Sequence, residues 1–273
     1  MLSVNSNTPA LFAANSLNDI SSRIQDLTTH IAAGKRVLTA ADDPAAMGQL
    51  SNMKAQYSSY NAVTKNLTAG QNLLSTAASS LSAQQTIMAK MKDLATQGSS
   101  DLLSADDRTA LQASFTQLQK QLDDTVNKAS MYGQNLTSST AANVNIQSGI
   151  NSGDTTTINA AKSDAATLGV DAATVDLSDA TKSAAAMAAI DTAVATVSTN
   201  QATIGAQQNL LKDAASYISV VSANTKSSIS SIEDLNVAEA STQLTLLQTQ
   251  QQLATSVLGI INSLPSAALN LIR

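Results

Sequence analysis

The chain has 273 residues, 43% of them hydrophobic but only 2% aromatic, with no Trp and no Cys, and its 15 basic and 20 acidic side chains leave a net charge of −5. Without Cys there are no disulfides and no thiolate metal sites, and a mildly acidic chain has no electrostatic footprint for nucleic acid or an anionic membrane. So few aromatics exclude a thick core; Leu, Ile, Val and Ala must instead pack between closely apposed helices.

Residues 1–9 are largely polar and end at Pro9. The first basic residue is Arg23 and the first apolar stretch, residues 10–14, is too short for the apolar region of a leader, so no secretory signal peptide is expected. From there apolar residues fall at Ala10, Ala13, Leu17, Ile20, Ile24, Leu27 and Ile31. Alternating threes and fours of this kind are the a/d seam of a coiled coil, here a helix running to about Ala33. Gly34 supplies a left-handed C-cap with Lys35 and Arg36 just beyond it. Asp42-Asp43-Pro44 then restarts helix, because an Asp cap satisfies orphan amides and Pro suits the first helical position. The chain should hinge between Gly34 and Asp42.

A second, longer helix is expected from Pro44 to about Gln97, its seam reappearing at Leu67, Gly70, Leu74, Ala77, Leu81, Gln84, Met88, Met91 and Ala95. Gly98-Ser99-Ser100 closes it. Ser104 to Asp107 reads as a capping box, followed by Leu111, Phe115, Leu118, Leu122 and Val126 on one face, with Gly133 ending this third helix near Tyr132. The period then drops to two around Val144 and Ile146, and residues 149–153 carry turn chemistry before the β-prone 155–158, so a small hairpin is expected. Short strand signals follow at Val170 and Val175.

Past Ser178, read as an N-cap, the pattern Ile190, Val194, Val197, Gln201, Ile204, Gln208, Leu211, Ala215, Ile218, Ser222, Thr225, Ile229 and Ile232 keeps strict spacing. Such length predicts a rod in which the polar seam positions set register. A last seam helix carries Val237, Ala240, Leu244, Leu247, Ala254, Leu258 and Ile261, with Gln251 in one polar slot, and should break at Pro265. The longest apolar run, residues 184–190, is far too short to span a membrane.

The fold class read from these patterns is mainly α, a long antiparallel helical bundle or coiled coil made from paired N- and C-terminal halves, with a small β-hairpin region. Neither terminal helix can stand alone: one seam buries one stripe, which does not offset the backbone entropy of ordering an isolated helix of this length. A chain whose ends need several copies of itself as neighbours is a polymer subunit. No catalytic, cofactor or metal site is read. His30 lies beside the seam with no ligand constellation, the Asp pairs at 42–43 and 106–107 are explained by capping, and Met88 and Met91 occupy seam positions.

At this point the order of parts resembles bacterial flagellin. Gly34-Lys35-Arg36-Val37 through Ala41-Asp42-Asp43-Pro44-Ala45 is similar to the family's N-terminal signature, with Leu38-Thr39 where Asn-Ser is usual. Ile232-Glu233-Asp234 with Ala238-Glu239-Ala240, and Thr255-Ser256-Val257-Leu258 through Leu271-Ile272-Arg273, resemble its C-terminal blocks. Gly205-Ala206-Gln207-Gln208-Asn209 and the hairpin of residues 145–158 resemble two further family features.

The resemblance implies a structural subunit, not an enzyme, that polymerises into the extracellular flagellar filament for swimming, after type III export. Residues 1–44 with 233–273 would form the inner tube, polymerising through Leu17, Ile20, Ile24, Leu27, Ile31, Leu244, Leu247, Leu258 and Ile261. Gly34, Arg36, Asp42, Asp43 and Pro44 would be the hinge signature. Residues 45–140 with 179–232 would form the outer helical bundle and 141–178 the hairpin region. Implied partners are further copies of the chain, alone or mixed with other flagellins, an export chaperone at the C-terminal segment, and hook-associated and cap proteins. The rival reading is the hook–filament junction protein, against which the Val257-Leu258 to Leu271-Ile272-Arg273 ending speaks. Finally, flagellins sensed by the vertebrate Toll-like receptor carry Gln and Arg where this chain has Ala89 and Lys90 after Met88. Lys cannot copy the bidentate contacts of an Arg fork, so weak receptor activation is expected.

Overall fold

In the computed structural model the described residues are 7–271, with side chains described over 7–263. Five helices account for most of them: α1 (Thr8–Ala33), α2 (Pro44–Gly98), α3 (Ala105–Lys128), α4 (Ala180–Glu233) and α5 (Val237–Leu271). Four short strands lie between α3 and α4, namely β1 (Ser130–Met131), β2 (Gln134–Asn135), β3 (Val144–Gln147) and β4 (Thr155–Ile158). The chain divides into two compact units, one of Met1–Gln56 with Asn224–Arg273 and one of Tyr57–Ala223.

The larger unit is built on α2, α3 and α4. Lys92 bonds Asp191, Gln85 bonds Ser198, and Gly70 faces Leu211, so α2 and α4 run antiparallel. α3 is antiparallel to α2 as well: Arg108 donates to Gly98 O at its start, and Thr125 O lies against Ser80 Oγ near its end. Along α4 every seventh residue, Ile190, Val197, Ile204, Leu211 and Ile218, is buried, as the seam spacing predicts. Leu67, Leu74, Leu81, Met88, Met91, Phe115 and Leu122 complete this core. β3 and β4 pair antiparallel with Val144 opposite Ile158, and Ile158 points into the core. Gly70 is glycine because β-hairpin and helix meet there: a Cβ would lie 3.0 Å from Leu211 Cδ1 and 3.3 Å from Ile146 Cγ1.

Local chemistry explains most helix ends. Ser104 Oγ accepts from Asp107 N while Asp107 Oδ2 accepts from Ser104 N, the expected capping box. Gly34 has φ 67°, and its N–H and that of Lys35 satisfy the last carbonyls of α1.

Four expectations need correction. α3 stops at Lys128, not near Tyr132; Tyr132 and Gly133, at φ 53° and 75°, are instead the two turn residues joining β1 to β2. Positive φ at both central positions matches the twist of a tight hairpin, which outweighs one more helical turn. Val170 and Val175 lie in no strand. They are buried anchors of a looped stretch in which Asp164 and Asp171 each accept from the amide and hydroxyl of the Thr three residues on. Such Asx turns supply the backbone with partners a ladder would otherwise give. The cap of α4 is Asp179, whose Oδ1 accepts from Lys182 N at 2.7 Å, while Ser178 turns its hydroxyl to Asp176. And Pro265 does not break α5, which continues to Leu271; a proline removes one helical hydrogen bond, and the rest of the ladder carries through. Ile272 and Arg273 lie outside the described residues.

In the smaller unit α1 lies antiparallel along α5. Phe12 is near Val257 and Ile261, Ser21 Oγ accepts from Gln251 Nε2 at 3.1 Å, and Leu27 is near Ala240 and Gln243.

Candidate functional site

Two features of the smaller unit stand out, the hinge and the helix pair. At the hinge, residues 34–43 are tied to the α4–α5 connection by backbone and side chain together. Arg36 N donates to Glu233 O at 2.7 Å, Leu235 N to Gly34 O at 3.0 Å, and Arg36 Nη2 to Ile232 O at 2.8 Å. Val37, Ala46 and Leu50 form a small buried cluster with Met47, Ile229 and Ile232 against them. Asp42 Oδ2 accepts from the amides of Leu38 and Thr39, which close the turn, and Asp43 Oδ1 accepts from Ala46 N as the cap of α2. Pro44 follows as its first residue.

A charged knot sits on the same junction. The Glu233 side chain is only 8% exposed, and its Oε1 receives Lys35 Nζ at 2.6 Å and Lys54 Nζ at 2.8 Å. Hydrogen bonds from Lys35 and then Lys54 hold the Glu233 carboxyl below its usual range, and the bond to Glu233 raises Lys35 above its own. The amides of Thr39 and Leu38 likewise hold the Asp42 carboxyl low. Of the hinge residues named from sequence, Gly34, Arg36, Asp42, Asp43 and Pro44 all meet here. The roles of Lys54 and of the Glu233 carboxylate were missed. Partners 179 residues apart leave no periodic signal.

The helix pair carries the nine apolar residues expected to drive polymerisation. Leu17, Ile20, Ile24, Leu27 and Ile31 on α1 face Leu244, Leu247, Leu258 and Ile261 on α5, yet only Leu247 is buried and the rest are half-buried. α1 as a whole buries no residue. Phe12 is 76% exposed, and Leu246, Leu253 and Ile260 each stand more than half in the open. Isolated exposed leucines are ordinary, whereas a row of them along a pair of helices marks an interaction surface.

In the larger unit Met88 and Met91 are fully buried, leaving Ala89 and Lys90 on the outer face of α2 with Lys92, which pairs with Asp191. Among the described residues no group of His, Asp and Glu is placed to hold a metal ion, and no helix is long and apolar enough to cross a membrane.

Long antiparallel helices, a tied hinge and uncovered apolar stripes define a structural, self-associating protein. Comparison with known proteins names the family. The bacterial flagellin N-terminal helical region matches residues 4–142 and the flagellin C-terminal helical region matches residues 187–272. Flagellin FljN of Caulobacter vibrioides is 30% identical over 273 residues, covering 99% of this chain and 98% of that one. The flagellin of Listeria monocytogenes serovar 1/2a is 30% identical over 286 residues, with both chains fully covered. The crystal structure of Bacillus cereus flagellin superposes with a TM-score of 0.51 at 26% identity, over 56% of this chain and 88% of that one. A putative flagellar hook-associated protein from Vibrio parahaemolyticus, at 17% identity and a TM-score of 0.58 over 71% of this chain and all of that one, shares the fold alone. The chain belongs to the bacterial flagellin family and is a structural subunit of the flagellar filament, not an enzyme. Nothing in these matches favours the hook–filament junction reading.

Proposed function

We propose that the filament is held by the α1/α5 pair, which forms the inner tube when neighbouring copies cover the stripes left open within one chain. The observation that carries this is α1 itself: 26 residues of helix with a complete apolar seam and no buried side chain. A helix so poorly covered gains most of its burial on assembly, so each added subunit brings several new apolar contacts at once. On this reading residues 1–44 with 233–273 are the inner part, 45–140 with 179–232 the outer bundle, and 141–178 a hairpin region. The filament lies outside the cell. An export chaperone would cover the apolar C-terminal segment before assembly, and hook-associated and cap proteins would meet the same stripes at the filament's ends.

The test is seeded assembly followed by sedimentation. Truncating one half-buried seam residue should cost on the order of 2 kcal/mol per subunit once neighbours bury it, and about 1.4 kcal/mol is already a tenfold change in critical concentration. Leu258→Ala and Ile24→Ala should each raise the critical concentration tenfold or more, while the helicity of the monomer persists because the larger unit has its own core. Critical concentrations like the parent's for both variants would show that the terminal helices do not hold the filament.

A further inference from the structure

We propose that the core of the larger unit holds internal water at one level, in a buried polar layer where the looped stretch after β4 packs on α2 and α3. Ser80 and Gln84 on α2, Gln119 on α3, Thr137 after β2 and Ser163 in the looped stretch are all buried. Hydrogen bonds set them at a common height along the bundle. Ser80 Oγ donates to Thr125 O across α2 and α3, and Gln84 Nε2, one turn further on, donates to Ser80 Oγ at 3.1 Å. Since α2 runs antiparallel to α3 and α4, Gln84 stands opposite the part of α3 between Gln119 and Asp123, and beside the Gln85–Ser198 bond to α4. Ser163 is fixed at this height from both sides: Asn200 Nδ2 on α4 donates to Lys162 O, and Ala165 N donates to Asp123 Oδ1 on α3. Its own amide donates to Thr137 O at 2.9 Å. Gln84, Gln119 and Ser163 therefore lie within about one helical turn, roughly 5 Å, along the bundle axis.

The donors and acceptors of this layer do not balance within the protein. Gln119 Nε2 donates to Val170 O and Gln84 Nε2 to Ser80, yet Gln84 Oε1, Gln119 Oε1 and Ser163 Oγ have no protein partner among the described residues. Buried polar groups are almost always hydrogen-bonded, because leaving one unmade forfeits its hydration without return. The three orphans are two carbonyl acceptors and one hydroxyl. Water is their complement: its two O–H bonds serve the amide oxygens, and its lone pair accepts the hydroxyl proton. About three hydrogen bonds is what a buried water makes, and globular proteins hold about one such water per 27 residues. An anion would meet two carbonyl lone pairs, and a bare cation would be desolvated among neutral groups. Gln207, whose amide is likewise unpartnered, is level with the part of α2 just beyond Gly70 and lies outside the layer.

The experiment is magnetic relaxation dispersion of the water oxygen on the unseeded full-length monomer. It registers only water molecules held longer than the protein takes to tumble, and exchanging hydroxyl protons do not contribute. Recording at two temperatures brings slowly exchanging water into range. Gln84→Met and Ser163→Ala should each lose the amplitude of at least one held water relative to the parent, whereas Gln85→Ala, at an exposed position on the same turn, should lose none. Denaturant melts supply a second reading. Ser163 Oγ bonds nothing in the protein, so Ser163→Ala removes bonds to water alone and should lower the folding equilibrium constant roughly two- to tenfold. A hydroxyl buried dry would instead make the alanine variant the more stable. Unchanged amplitude in the variants, or a Ser163→Ala chain as stable as the parent or more so, would overturn the proposal.

Discussion

α1 and α4 carry the same alternating seam and meet different fates. On α4 the residues at Ile190, Val197, Ile204, Leu211 and Ile218 are all buried within the chain, whereas on α1 Leu17, Ile20, Ile24, Leu27 and Ile31 stay half-open. The difference lies in the number of neighbours. α4 meets α2, the β3–β4 hairpin and the looped stretch between β4 and α4 that contributes Leu168, Val170 and Leu177 to its core, whereas α1 has α5. A heptad states that a stripe will be covered but not by what. In the larger unit the cover is intramolecular; for α1, on the proposed mode of assembly, it would come from other copies.

The largest effect that would sharpen this contrast is a core truncation set against a seam truncation. Phe115 is fully buried in the larger unit, and Phe115→Ala should cost about 3–5 kcal/mol of monomer stability. Ile24→Ala, half-buried, should cost the monomer less than about 1 kcal/mol, since surface-type substitutions change stability little. Denaturant melts of the two monomers followed by circular dichroism measure both. Similar losses would mean that α1 is already as well covered as the core and would break the comparison. Next comes Gly70→Ala, where a Cβ would press to 3.0 Å on Leu211 and 3.3 Å on Ile146. Overpacking of this kind costs about 1–3 kcal/mol, against a helix-propensity gain of up to about 1. The same melt should show net destabilisation; an unchanged or raised midpoint would show that the hairpin yields freely.

Much of this was legible. Gly34 announces a left-handed cap because its Cβ is absent, and Ser104 with Asp107 announces a capping box because the two side chains can serve each other's amides. The seams came through since helical period is a local property. What escaped was set by chain segments far apart or by competition between local options. Tyr132 looks like a helix residue until Gly133 beside it offers a two-residue turn. Val170 and Val175 have strand-like side chains, but the Asp residues around them take the backbone's hydrogen bonds. At the candidate site the hinge motif was readable, yet nothing near Lys54 in sequence points to Glu233.

The Glu233 knot gives a middle-sized effect confined to the smaller unit. A carboxyl whose value is lowered on folding stabilises above its ordinary range near about 4.3 and loses that contribution as pH falls through the folded value. Lys35, raised on folding, contributes below its ordinary value near about 10.4 and loses it as pH climbs through the raised one. The knot is therefore whole between those limits. Glu233→Gln should cost about 1–2 kcal/mol, less than a wholly buried pair, because both lysines are nearly half-exposed and can rehydrate. Hydrogen exchange near residues 34–36 and 232–235 should rise in the variant at pH 7 while the core of the larger unit is unchanged. As pH falls through the lowered folded value of Glu233 parent and variant should converge, and a difference that stays constant through the whole acid range would mean the carboxylate is not the source.

The smallest structural effect is expected on the outer face of α2, where a change of chemistry should leave the fold alone. Ala89 and Lys90 are exposed beside the buried Met88 and Met91, so replacing them does not touch the core. Ala89→Gln with Lys90→Arg should shift monomer stability by no more than about 0.5 kcal/mol, as substitutions away from cores and caps do. The gain is in recognition: a guanidinium fork can grip a carboxylate with two parallel bonds, and an ammonium on a flexible stem cannot. The resemblance to receptor-sensed flagellins places Gln and Arg at these positions, so the parent monomer should activate the receptor weakly in reporter cells and the double variant more strongly. Neighbouring Lys92 is held by Asp191 and cannot substitute for the missing fork. Full potency of the parent would show that the receptor reads another face, and an unchanged response of a folded double variant would show that these two side chains are not what it lacks.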